Sequence, residues 1–248
     1  SLELYFNNGN AKLYYKGLEL TKENGLRSSF SLSPKGKTYD STQAIWDVTK
    51  ESSTKLVAKA RWPDLGITQI WAFQIEESQI DWHVEITSPK EVNLSNVETN
   101  LLLSSDYTTW ISLFKQGKFP RIYPWSRNWR NTALLKDSRT GPDCLGVKST
   151  DNLPSLLFAI GQDTPVGKSL LRNTDYRINA RALGFCNYLP VVGINIGQQK
   201  LFHGEISIFN NDKDMYGLRD EIKNSLVISK GSLELYFNNG NAKLYYKG

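Results

Sequence analysis

Apolar residues recur at every second position through much of the chain. Trp71, Phe73 and Ile75 alternate with smaller or polar neighbours, Glu76-Glu77-Ser78 interrupts them, and Ile80, Trp82, Val84 and Ile86 resume the alternation. A period of two places such side chains on one face of a strand, so this stretch predicts two antiparallel strands sharing one buried face. Further strands are predicted over residues 44–50, 55–62, 156–160, 191–196 and 201–209, most of them bounded by Gly, Pro, Asn or Asp. Helical spacing is confined to two places. In residues 214–226, Met215, Leu218, Ile222 and Leu226 form a stripe that Asp212 or Asp214 is able to cap, and in residues 108–117, Trp110 and Phe114 stand four apart. Many strands with so little helix predict an all-β fold, a large antiparallel β-sandwich with one or two short helices. Residues 115–154, rich in Pro, Gly, Arg and aromatic rings, read as a long irregular excursion from it.

The chain opens on the same alternation. Leu2, Leu4 and Phe6 lead to Asn7-Asn8-Gly9-Asn10, whose residues tolerate positive φ, and Leu13 and Tyr15 follow, so residues 1–17 predict a β-hairpin. The same segment, SLELYFNNGNAKLYYKG, returns unchanged as residues 232–248. A period this long encloses a full core, so residues 1–231 are expected to be one complete β-sandwich repeat and residues 232–248 the opening hairpin of the next. A natural tandem array and a laboratory duplication both account for the identity. Within an array, Lys230-Gly231 leaves little freedom between neighbours, which are expected to touch at a spacing of roughly 45 Å. The expected junction comprises Ser1, Leu2, Leu4, Phe6, Leu13 and Tyr15, with Lys230, Gly231, Ser232, Leu233, Leu235 and Phe237, the hairpin augmenting the sheet of the preceding repeat.

Composition adds limits. At 40% apolar and 22% charged the chain is expected to fold as an ordinary globular protein, and its +5 charge is dispersed among acids, which argues against a nucleic-acid partner. No apolar run is long enough to predict a membrane span. Basic and aromatic residues concentrate only in residues 119–131, where Arg121, Arg127 and Arg130 interleave with Tyr123, Trp125 and Trp129. Flat rings stack on sugars while arginines donate to hydroxyls, yet the same residue types dominate protein interfaces, so this stretch predicts either a glycan contact or the seat of a neighbouring repeat. His83 and His203 with Cys144 and Cys186 lack zinc-ligand spacing, and no metal or cofactor is expected. Asn210, Asn211, Asp212 and Asp214 lack the glycine and glutamate of a calcium loop and read as helix caps. Cys144 and Cys186 allow either a disulfide or two buried thiols.

The order of features across residues 18–90 carries a resemblance. A Lys-Gly-Leu-Glu-Leu-Thr-Lys run precedes Thr38-Tyr39-Asp40-Ser41 with Ala44 and Trp46, then Gln69-Ile70-Trp71 and Asp81-Trp82-His83-Val84-Glu85. This rhythm resembles the galactose-mutarotase-like β-sandwich class, whose domains accompany many carbohydrate-active and cell-surface proteins. The resemblance implies a supersandwich-like fold. Enzymes of that class set a histidine and a carboxylate at the sugar ring; here His83 and Glu85 share one strand face, and His203 invites the same comparison. The leading expectation is a structural, non-catalytic repeat of an extracellular filament or cell-surface protein, partnered by identical repeats. The alternatives are a carbohydrate-binding module acting on surface polysaccharide through Trp125 and Trp129, and a mutarotase-like enzyme using His83 or His203.

Overall fold

The computed structural model describes residues 1–33, 36–133, 143–150, 153–161, 164, 167–187, 192–194, 197–224, 227–230, 233–238 and 241–246. The strands in chain order are β1 (Leu2–Asn7), β2 (Asn10–Tyr15), β3 (Leu18–Glu19), β4 (Thr21–Leu32), β5 (Thr38–Asp40), β6 (Ile45–Lys50), β7 (Lys55–Trp62), β8 (Ile67–Glu76), β9 (Gln79–Ser88), β10 (Val92–Ser104) and β11 (Thr109–Ser112). They continue with β12 (Gln116–Lys118), β13 (Arg130–Ala133), β14 (Asp143–Lys148), β15 (Ser155–Ile160), β16 (Lys168–Asn173), β17 (Ala180–Asn187), β18 (Val192–Ile194) and β19 (Gly197–Phe209). Helix α1 (Asp212–Asn224) precedes β20 (Val227–Lys230), β21 (Leu233–Asn238) and β22 (Asn241–Tyr246).

Two large sheets form a β-sandwich. One runs β1-β2-β4-β10-β17-β16-β13, with β3, β5 and β18 on its margins, and the other runs β12-β11-β14-β15-β19-β9-β8-β7-β6. Almost every pairing is antiparallel; β2 meets β4 in parallel at Ala11 and Gly25. The period-two pattern explains the core, because the inward residues of β8 and β9 (Trp71, Phe73, Trp82, Val84) are fully or almost fully buried. Rings bridge the sheets edge to face: Phe30 meets Trp62 at 5.0 Å, Phe6 meets Trp46 at 5.1 Å and Phe158 meets Phe185 at 5.1 Å.

The opening hairpin closes through Asn8 and Gly9, both at positive φ, the geometry that matches strand twist and favours Asn-Gly. A Cβ on Gly9 would stand 2.5 Å from the Trp46 indole nitrogen, which donates to the Ser41 carbonyl, so the turn has room only for glycine. Leu2, Leu13 and Tyr15 are buried, with Leu4 and Phe6 packed against the same core, while Ser1 is exposed. These side chains therefore serve their own sandwich. The second copy, β21 and β22, adopts the same register: Leu233 faces Tyr246 as Leu2 faces Tyr15. It pairs with β20 in a separate three-stranded sheet, Lys230 opposite Leu233 and Ile228 opposite Leu235. Gly231 and Ser232 lie outside the described residues, as do the side chains of Lys230, Leu233, Leu235 and Phe237.

Some local expectations are corrected. Residues 108–117 form no helical turn; β11 and β12 make a hairpin, because Trp110 lies buried over Gly117 and β11 pairs with β14. The excursion at 115–154 yields β12, β13 and β14, the last of them interior to the nine-stranded sheet. Helix α1 starts at Asp212, and its cap is Asn211, whose side chain accepts from the Asp214 amide at 3.0 Å and donates to the Asp214 carboxylate at 2.8 Å. Met215 is buried and Leu218 and Ile222 pack beside it, as the stripe predicted; Leu226 lies outside the described residues. The disulfide alternative fails. Cys144 and Cys186 are buried thiols outside any disulfide, one under α1 on the outer side of the nine-stranded sheet, the other on the outer side of the opposite sheet with its thiol 2.7 Å from Asn96. The whole sandwich separates them. Among the described residues no helix is long and apolar enough to cross a membrane.

Candidate functional site

The outer face of the ten-stranded sheet carries a buried polar network. β10 presents Glu98 and Asn100 outward, β16 presents Arg172, and β17 lies between them. Arg172 reaches over β17 to pair with Glu98 and to donate to Asn100 Oδ1 at 2.7 Å, while Asn100 donates to Glu98 at 2.7 Å. Gly184 on β17 makes this possible, since a Cβ there would collide with the Asn100 side chain. Glu98 and Asn100 are buried, and the Nε of Arg172 is a buried donor with no acceptor among the described residues. An uncompensated donor in such a place is costly unless a further oxygen meets it. On β4, Arg27 pairs with buried Asp40.

Trp129 joins the two arginines. Its ring lies 4.8 Å from the Arg172 guanidinium and 5.6 Å from that of Arg27, and it packs on Leu102, Ala180 and Ala182. The loop that delivers it is anchored at its root by Arg181. That buried guanidinium donates to the Pro120 carbonyl at 2.9 Å, to Asn173 at 2.7 Å, and to the carbonyls of Tyr107 and Ser105 at 3.0 Å each. Burial pulls its pKa down to about 10. Asn173 also donates to the Pro120 carbonyl, and Tyr176 ties down Ser126 through the backbone at 2.8 Å.

Between these anchors the loop exposes rings. Tyr123 and Trp125 stack at 4.8 Å with 12° between their planes, and Arg121 lies 5.7 Å over Tyr123. Trp125 is 70% exposed and Tyr123 42%. The cluster expected from the sequence thus divides. Arg121, Tyr123 and Trp125 form an outward platform, Trp129 turns inward to the network, and Arg127 and Arg130 are exposed, the latter in β13 opposite Asn173. Glu98, Asn100 and Arg172 were not anticipated. Their signal was an acid and an amide alternating in an otherwise apolar run, Val97-Glu98-Thr99-Asn100-Leu101.

A second cluster lies on the outer face of the nine-stranded sheet. Register sets His83 of β9 directly opposite His203 of β19, and the rings stack at 3.9 Å. Asp81, two residues before His83, lies within 3.4 Å of the His83 Nε2 and 3.0 Å of the His203 Nε2. Linear spacing had hidden this grouping, because the two histidines are far apart in the chain and meet only across the β9–β19 ladder. Glu85 shares the face and is held by Gln198.

The fold is that of the galactose-mutarotase-like β-sandwiches. A candidate aldose 1-epimerase from Klebsiella pneumoniae superposes with TM-score 0.59 and 9% identity, over 87% of this chain and 78% of that one. A galactose mutarotase-like protein from Lactobacillus casei superposes with TM-score 0.53 and 10% identity, over 84% and 99%. A Synechocystis protein does so with TM-score 0.56 and 8% identity, over 85% and 95%. No family profile and no curated protein matches the sequence.

Proposed function

We propose that the chain binds carbohydrate on the outer face of its ten-stranded sheet. The observation that carries this reading is the exposed Tyr123–Trp125 stack on a loop anchored at Pro120 and Ser126. A rigid indole with one open face suits a pyranose ring, and its ordering cost is already met by the fold. The same loop lays Trp129 over Arg172, whose buried bonds to Glu98 and Asn100 hold the base of the loop against the sheet. The neighbours named for aldose epimerase and mutarotase activity share this fold and support a sugar ligand. Affinity electrophoresis against a panel of soluble polysaccharides tests it. Retardation by at least one polymer is expected, weakened about tenfold or more in Trp125→Ala with thermal stability unchanged. A panel that retards neither protein, or both equally, removes the proposal.

The tandem-array reading is favoured by a different observation. The edge strand β1 pairs only with β2 among the described residues, whereas its identical counterpart β21 is covered by β20. In an array, residues 227–230 of one repeat would cover β1 of the next, so strand addition would run forward along the chain.

A further inference from the structure

We propose that Asp81, His83 and His203 form a binding site for a divalent transition-metal ion of the zinc class. The three side chains come from two adjacent strands inside the nine-stranded sheet, and their ligand atoms all lie within 4.8 Å of one another. A tetrahedral ion with bonds of about 2.0 Å holds its ligands about 3.3 Å apart. The Asp81 carboxylate already stands 3.0 Å from one imidazole Nε2 and 3.4 Å from the other; binding an ion turns the two rings out of their 3.9 Å stack so that both in-plane lone pairs converge on it. Two imidazoles with one carboxylate is a donor set suited to zinc and its first-row neighbours, and unsuited to calcium or magnesium.

The backbone is prepared for this task. His83 and His203 face each other across the ladder, and the His203 amide and carbonyl are both held by the Thr164 hydroxyl at 2.9 Å. Glu205 lies opposite Asp81 on the same face and adds negative charge beside the ligands, while Glu85 stands opposite Lys200. All three ligands are partly exposed, with side-chain exposures of 26–36%, which leaves remaining coordination positions to water or to a substrate oxygen. Three protein ligands with an open position is the pattern of metal sites that act on a bound molecule. This site lies on the opposite side of the sandwich from Trp129 and the Arg172 network and shares no residue with the aromatic loop, so the two proposals stand or fall separately.

The test is titration of zinc chloride into the untagged full chain, followed by calorimetry and by imidazole 1H–15N spectra. His83 and His203 are the chain's two histidines, so both ring signals are expected to shift together at one ion per chain. Asp81→Asn and His203→Gln are each expected to weaken binding about tenfold or more, and Trp125→Ala to leave it unchanged. Circular dichroism establishes that the variants fold; if either does not, the paired shift in the unaltered chain still decides. Zinc that leaves the two ring spectra unmoved, or binds equally to the folded variants, overturns the site.

Discussion

Arg172 and Asp212 show two ways in which single charges are accommodated. Arg172 is nearly enclosed, meeting Glu98, Asn100 and the Trp129 face at once, and such a pair is costly to break because the surviving partner stays buried and unmatched. Asp212 is half exposed and holds α1 to the sheet: Ser155 donates to it, and Lys148 does so at 3.1 Å. The Ser155 hydrogen bond, with the hydrogen bond and charge of Lys148, outweighs partial burial and holds the Asp212 carboxyl below its ordinary value of 3.8. A carboxyl depressed on folding contributes stability that is present above its unfolded pKa and lost as pH falls through the folded one. Urea midpoints measured between pH 5 and pH 2 are therefore expected to fall less in Asp212→Asn than in the unaltered chain, while the two proteins run parallel above pH 5. Equal acid losses would dissociate Asp212 from the effect.

At the scale of elements, turns and strand faces decide what can be replaced. Gly9 needs positive φ and lies against Trp46, so Gly9→Ala is expected to cost about 1–2 kcal/mol, read as a lowered urea midpoint with unchanged slope. A neutral result would show that the Asn8-Gly9 turn yields readily. The same hairpin was legible in the sequence, as were β7, β8, β9, β15 and the stripe of α1, because one buried face imposes a clean period. β4 and β10 were not. They lie inside the ten-stranded sheet, and Thr21, Ser28, Glu98, Thr99 and Asn100 are buried there, so polar residues occupy positions that the pattern reserves for solvent. The candidate sites divide likewise. The aromatic loop was visible as local composition, whereas the Arg172 network and the paired histidines depend on strand register, which the order of residues does not reveal.

At the scale of the whole molecule, the strands of the second hairpin pair with each other and with β20, and with neither large sheet, among the described residues. β1 to β19 supply both large sheets, and β20 to β22 stand apart in a third. If repeats assemble in series, electron microscopy of the full-length native protein is expected to show fibres with an axial repeat of about 45 Å. Separate globules would leave the chain as a single binding unit.

Tyr15 and Lys16, at the end of the first copy, bond to Asn210 just before α1, at 3.1 and 2.9 Å, so the place where the hairpin ends lies beside the place where the chain leaves the sandwich. One copy of the sequence sits in the ten-stranded sheet, and its duplicate pairs with β20. A chain shortened by its first 17 residues and one shortened by its last 17 are circular permutants of each other, with the same composition and a different order of connection. If the two copies are interchangeable in that seat, both shortened chains are expected to fold with equal urea midpoints, and a lower midpoint for the chain that lacks the first copy would show that the order of connection matters.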